Sequence, residues 1–436
     1  MSEPPSTMRR DTLRRLKVLL RRRGLTAPVW RRRIAIIGGA ILVGLAATAF
    51  AWMADRANDW FTLAVKRCWW LPLVMTPAGY VLIVWITNRL APAARGSGIP
   101  QIIAAKRDPA QATTDLASAR TAAFKALLTA AALTVGGSVG REGPTVQLGA
   151  TIMAYAHKLL RVPINASVLV AGAAAGVAAA FNTPLAGVAF AIEELAAAYE
   201  QRMTLLVMTA VLIAGMIAQG VAGDYVYFGI VGETLPLRTV LIVAPIAGIL
   251  GGVCGSLFAR STLWFARGGA RRISGGRPLL LAVASGLIVA AVGIATGTTW
   301  GTGYAAARAI IEGDNASLWF GPAKFVSTLA TAAAGLPGGI FAPSLATGAG
   351  LGNLLHFLFP AQPTGALVLL AMAGYFTGVV RAPLTAVIIM SETTGSRGLM
   401  LPLLATALIA EAAAGLVCRE RLYHGLASGF LRPGAR

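Results

Sequence analysis

Apolar residues in this chain fall into runs, not at the spacing of a half-exposed helix or strand. The first run, Ile34–Ala54, follows the triplet Arg31-Arg32-Arg33. It is long enough to cross a bilayer, which takes about 20 residues. It is too long for the core of a signal peptide, so a retained first span is expected. Comparable runs follow at Leu71–Leu90, Leu205–Val221, Val240–Phe258, Leu279–Thr296 and Leu401–Val417. Others fall well short, among them Ala122–Val135, Val168–Ala180, Phe325–Ala334 and Leu384–Met390, and Gly or Pro breaks them at their ends. In hydrocarbon a broken helix persists only where protein or a polar cavity satisfies its freed backbone groups. The pattern therefore predicts half-helices meeting inside an all-α polytopic membrane protein, as transporters and channels require.

Composition agrees. Of 436 residues, 56% are hydrophobic and 13% charged, where a soluble domain carries about 25% charged residues. The mean hydropathy of +0.69 excludes a soluble globule and a disordered chain alike. The net charge of +21 is uneven: residues 1–33 hold eleven Arg or Lys and two acids. A basic stretch beside a span marks the cytoplasmic side, so this balance calls for no nucleic acid. Residues 1–33 are expected to be cytoplasmic, with an amphipathic helix over 9–23 lying on the inner membrane face. The linker Arg260–Arg277 has five arginines and no acid and is expected inside, as is the C-terminal end with Arg419, Arg421, Arg432 and Arg436. The loop Ala222–Arg238 carries Asp224 and Glu233 and is expected outside. Cys68, Cys254 and Cys418 lie far apart, as do His157, His356 and His424. No disulfide framework, metal centre or cofactor is expected.

The chain repeats itself. Gly140-Arg141-Glu142-Gly143-Pro144-Thr145 matches Gly339-Ile340-Phe341-Ala342-Pro343-Ser344 at an offset of 199 residues. Pro184-Leu185-Ala186-Gly187-Val188 matches Pro383-Leu384-Thr385-Ala386-Val387 at the same offset, which also carries Glu193 onto Glu392. Two transmembrane halves are expected, 34–240 and 241–436, meeting near the basic linker. Gly- and Pro-broken segments in corresponding places of two halves point to a binding site near the midplane.

The breaks themselves have a chemistry. Gly96-Ser97-Gly98-Ile99-Pro100, Gly140-Arg141-Glu142-Gly143-Pro144 and Gly338-Gly339-Ile340-Phe341-Ala342-Pro343 each open an apolar segment. A helix start offers unpaired N–H groups and a partial positive charge, which together attract anions. Three starts aimed at one point would hold a small anion without a full cation, which favours fast release.

These three motifs, in this order, with Arg381-Ala382-Pro383-Leu384-Thr385, resemble the signatures of the CLC family of chloride channels and chloride/proton antiporters over roughly residues 30–430. The resemblance implies two inverted halves with many short, tilted helices, and a homodimer with one pathway per subunit in a bacterial-type inner membrane. It implies that Ser97, beside Gly98, and Tyr423 contact chloride through their hydroxyls. It further implies that Ile340 and Phe341 offer backbone N–H groups, and that Arg141 and Gly143 supply backbone donors around an outer site. Glu142 resembles the gating glutamate, whose carboxylate occupies the anion site and leaves it on protonation. Glu194 matches the internal proton acceptor of many antiporters, where the family's channels usually carry an apolar residue. Glu193 then reads as structural. Gln101 stands where an acid usually follows the first motif, so Lys125 is expected without a carboxylate partner. Lys324 is expected to be interfacial or electrostatic.

Chloride/proton antiport is the function these residues favour, with a passive chloride channel as the alternative. A cation-coupled transporter would need more buried acids, and a membrane hydrolase would need a His, Ser and Asp set that the three scattered histidines do not supply.

Overall fold

The computed structural model describes residues 27–195, 201–223, 226–314 and 317–431. The helix expected over 9–23, together with Asp224, Arg432 and Arg436, lies outside them. The first half runs α1 (Ala27–Arg67), α2 (Pro72–Leu90), α3 (Ile99–Ala105), α4 (Ala119–Thr134), α5 (Glu142–Leu159), α6 (Ala166–Phe181), α7 (Pro184–Phe190) and α8 (Gln201–Ala222). The second runs α9 (Leu237–Trp264), α10 (Pro278–Thr296), α11 (Tyr304–Ile311), α12 (Phe320–Ala334), α13 (Phe341–Leu358), α14 (Thr364–Val380), α15 (Pro383–Thr394) and α16 (Met400–Val417), and a short α17 (Leu422–Ala427) follows. The two series correspond element by element, so the join falls in the 222–237 connection. The basic stretch Arg260–Arg277 runs from the last turns of α9 to the start of α10, within the second half.

Among the described residues, six helices are long and apolar enough to cross a membrane. They lie at the periphery and keep large apolar side chains on the outside, such as Leu212 and Met216 of α8, Leu287 and Ile288 of α10 and Leu416 of α16. An apolar exposed face of this kind is stable against lipid or another apolar protein surface, not against water. Trp52, Trp60, Trp69 and Trp70, all exposed, cluster along the later part of α1 and the α1–α2 turn, where the two ends of an indole suit a membrane interface. α6 and α14 form the inner layer. α14 is buried from Gly365 to Val380, as is α6 from Val168 to Phe181. Both are shorter than a full span, and each ends on a left-handed residue, Asn182 and Arg381, at the same repeat offset.

Corresponding elements meet across an approximate two-fold axis. α2 packs on α10 and α7 on α15, while α5 and α13 touch only near their starts. Two half-helices that begin at one point and run apart are what inverted halves produce. The contacts at the axis are exchanged symmetrically. Glu193 Oε1 accepts from the Leu384 amide at 2.9 Å and Oε2 from the Thr385 amide at 2.7 Å. Glu392 returns the contact, accepting from the Leu185 amide at 3.2 Å and the Ala186 amide at 2.8 Å. Each acid closes the Pro-led helix start of the opposite half. Glu193→Ala and Glu392→Ala should therefore destabilise to a similar degree, by roughly 1–2 kcal/mol for a lost helix cap. The measurement is the thermal midpoint in detergent, and a marked effect from only one of the two would contradict the exchange.

A candidate anion pathway

Three Gly-rich breaks converge at the centre. The Gly140 and Gly339 amides donate to each other's carbonyls, both at 2.7 Å, and the Gly338 amide donates to the Gly96 carbonyl at 3.0 Å. These bonds tie the three loops into one knot of backbone. Packing is too close for side chains: a Cβ on Gly143 would stand 2.4 Å from Ser97 Oγ and 2.7 Å from the Ser97 carbonyl oxygen. Gly98 has φ +110, a conformation that glycine alone adopts without strain, and a Cβ there would strike the Gly143 carbonyl at 2.5 Å.

Buried side chains fix the loops. Lys125 Nζ donates to the carbonyls of Ala94 and Gly96, each at 2.6 Å. Lys324 does the same one half later, to Thr299 at 2.9 Å and Gly301 at 2.7 Å. The two lysines are related by the repeat offset and both are fully buried. Lys125 thus has carbonyl partners in place of a carboxylate, and Lys324 is a buried loop anchor, not an interfacial residue. Gln101 stands in for the acid expected after the first motif. Its amide nitrogen donates to the Ala93 and Arg95 carbonyls at 3.1 and 2.6 Å, and its oxygen accepts from the Gly98 amide at 3.1 Å.

The structure gathers the predicted residues around this knot. Phe341 is at the hub, its ring 4.9 Å from Phe376, 5.6 Å from Phe190 and 5.9 Å from Tyr423, centroid to centroid. Ser97 Oγ and Tyr423 Oη are buried, and neither makes an aligned hydrogen bond, although the two hydroxyls sit close enough to influence each other. An anion between them would give both hydroxyls an acceptor. The first amides of α5 and α13 have no acceptor inside their own helices. A cavity of about 580 Å³ reaches the knot, lined by Arg95, Ser97, Gln101, Gly338, Gly339 and Ile340 among others. A second, of about 590 Å³, reaches Trp52, Asp55 and Asn182.

Glu142 is fully buried at the start of α5. Its Oε1 accepts from the Tyr304 hydroxyl, and Oε2 lies 3.4 Å from the Ala342 amide at the start of α13. The carboxylate thus reaches from one half to the helix start of the other. Arg141 points away from the knot. Its guanidinium pairs with Asp55 at 2.7 Å, donates to the Ala51 carbonyl at 2.9 Å and to the Tyr227 hydroxyl, and lies over the Tyr227 and Tyr304 rings. These contacts engage both terminal guanidinium nitrogens and leave the buried Nε without a partner. Glu194 stands apart, buried in a π-helical turn, Ala191–Leu195, that continues α7.

Sequence reasoning missed Asp55, Tyr227 and Tyr304. Tyr304 had a signal: Gly301-Thr302-Gly303-Tyr304 is the second-half counterpart of Gly96-Ser97-Gly98-Ile99, but at an offset of 205, not 199. The close loop contact yields a prediction. Gly143→Ala should wedge the Ser97 loop from α5, cost roughly 1–3 kcal/mol as overpacking does, and depress chloride flux. Wild-type midpoint and flux in that variant would show that the loops do not touch.

The voltage gated chloride channel family model matches residues 79–415. Among solved structures, a slow cyanobacterial Cl⁻/H⁺ antiporter superposes with a TM-score of 0.79 at 25% identity, covering 93% of this chain and 99% of that one. A eukaryotic CLC transporter gives 0.74 at 22% identity over 92% of this chain and 74% of its own. A CLC-type fluoride/proton antiporter gives 0.74 at 22% over 87% and 94%. The match spans most of the chain and includes all three Gly-rich loops, and the protein belongs to the CLC family of chloride transport proteins.

Proposed function

We propose that the protein is a chloride/proton antiporter in which Glu142 is the gate and Glu194 the second proton site. The observation that carries this reading is the position of the Glu142 carboxylate across the starts of α5 and α13. An acid there occupies the donors that an anion would use. Protonation removes its charge and its claim on those donors, so the side chain leaves and chloride takes its place. Ser97 and Tyr423 then hold the ion with hydroxyls, and the Ile340 and Phe341 amides with backbone dipoles. None of these carries a full charge, so release stays fast. The reaction is transport, with no enzymatic step. The working unit is a lipid-embedded homodimer in a bacterial-type inner membrane, one pathway per subunit and both termini cytoplasmic.

Glu142 alone cannot pass protons through a site filled by chloride. Glu194, buried in the turn that continues α7, supplies the second acid on the inner side. Channels of the family commonly lack an acid at that place, which is why Glu194 favours antiport.

Glu142→Gln should keep chloride flux, lose its pH dependence and abolish coupled proton movement in reconstituted vesicles. Tyr304→Phe leaves the acid and removes its hydroxyl partner. A hydrogen bond to a charged group contributes about 1.5–3 kcal/mol, so the gate should open more readily and chloride flux rise on the order of tenfold, with protons still coupled. Normal proton pumping by Glu142→Gln would exclude it as the gate.

In wild-type vesicles an imposed chloride gradient should drive protons uphill, and Glu194→Gln should remove that movement while anion flux persists. Robust chloride flux without uphill protons would make the protein a passive channel.

A further inference from the structure

We propose that His424 is the relay that carries protons between solvent and the buried carboxylate of Glu194. The inference rests on the antiport reading and adds to it the route by which the inner acid is reached. The Glu194 side chain has 0% exposure and that of His424 has 45%, yet His424 Nδ1 lies 3.2 Å from Glu194 Oε1, within hydrogen-bond distance although not aligned as a hydrogen bond. One imidazole therefore joins the surface of the subunit to an acid buried beneath it.

The neighbouring charged groups are engaged elsewhere. Lys106, just after α3, donates to the Leu195 carbonyl. Arg421, before α17, donates to the Glu193 carbonyl at 3.2 Å. The Glu193 carboxylate closes the start of α15, and Glu420 pairs with Arg267 at the end of α9. Lys106 and Arg421 lie within electrostatic reach of Glu194, but neither an ammonium nor a guanidinium gives up protons readily near neutral pH. Imidazole does, which makes it the usual shuttle. Among the described residues, His424 forms the only ion-pair contact to Glu194.

The placement on α17 is economical. Tyr423 turns its ring to Phe341 and the anion knot, and the next residue turns its imidazole to Glu194. In the transfer, the imidazolium passes its Nδ1 proton to Glu194 Oε1, leaving neutral imidazole and a neutral carboxylic acid. The ring then takes a proton from bulk water or buffer. The reverse sequence carries protons out, and no other bond changes.

The test uses the full chain in vesicles. His424→Ala should cut chloride-driven uphill proton flux by at least about tenfold, the low side of what a positioned proton-transfer group contributes. Free imidazole on the side that His424 faces should restore it in a dose-dependent way, and should do little to wild type. His424→Gln keeps the polar contact and the approximate size but cannot shuttle, so it should be as slow as His424→Ala. Chloride flux in a Glu142→Gln, His424→Ala double variant reports that the pathway has folded. Wild-type proton flux in His424→Ala or His424→Gln would overturn the relay while leaving antiport standing. A loss that imidazole does not restore would also overturn it, marking His424 as a packing residue. Wild-type vesicles without uphill proton flux would remove antiport and the relay together.

Discussion

Two short hydrogen bonds between Gly140 and Gly339 hold the starts of α5 and α13 against each other, and the candidate pathway hangs on that contact. A membrane interior offers no water to a helix that stops halfway. Each break must find donors and acceptors in the protein, and here they come from both the same half and the opposite one. The Gly–Gly bridge joins the central loops, and Glu193 and Glu392 close each other's helix starts. Lys125 and Lys324 absorb loop carbonyls that would otherwise be bare. The Ser97 and Tyr423 hydroxyls and the first amides of α5 and α13 meet at this junction, and the reading proposed above gives them an anion to hold.

The candidate chemistry comes from places where the repeat is broken. The offset that pairs Gly140 with Gly339 sets Glu142 against Phe341. One half contributes the acid and the other the aromatic hub on which Phe376 and Tyr423 pack. Likewise Ile99, an apolar core residue, has Tyr304 as its counterpart, and Tyr304 reaches the Glu142 carboxylate. A symmetric site would carry two acids or two phenyl rings and could not close and open with one proton. The shared scaffold is symmetric, and the residues proposed to gate it are not.

These differences also decide what could be read beforehand. Gly, Pro and the acids at fixed offset are local marks, so the three breaks, the two halves and Glu142 were visible in a single chain. Tyr304 was not, because the second half has six fewer residues between this motif and Lys324 than the first has between Ile99 and Lys125, which takes the motif out of the 199-residue register. Asp55 was hidden for another reason: it sits past the apolar run of α1, where an acid looks like a solvated end, and only the packing of α1 brings it to Arg141. His424 read as one of three scattered histidines until α17 was laid against the π turn at Glu194. The carbonyl cradles of Lys125 and Lys324 were unreadable in principle, since backbone acceptors leave no residue type behind.

The exchange of acids between halves bears on how the chain is made. The amides of Leu185 and Ala186 take their acceptor from Glu392, 207 and 206 residues downstream. At a synthesis rate of about 5–20 residues per second, the first half waits on the order of 10–40 s with its Pro-led helix start unclosed. For that interval the nascent half-protein is a membrane body with an open polar edge at its axis. A second copy of the same half could meet it there with equal chemistry. Translation speed and the spacing of ribosomes on a message thus become variables of assembly, because the partner that completes the first half is normally the remainder of its own chain.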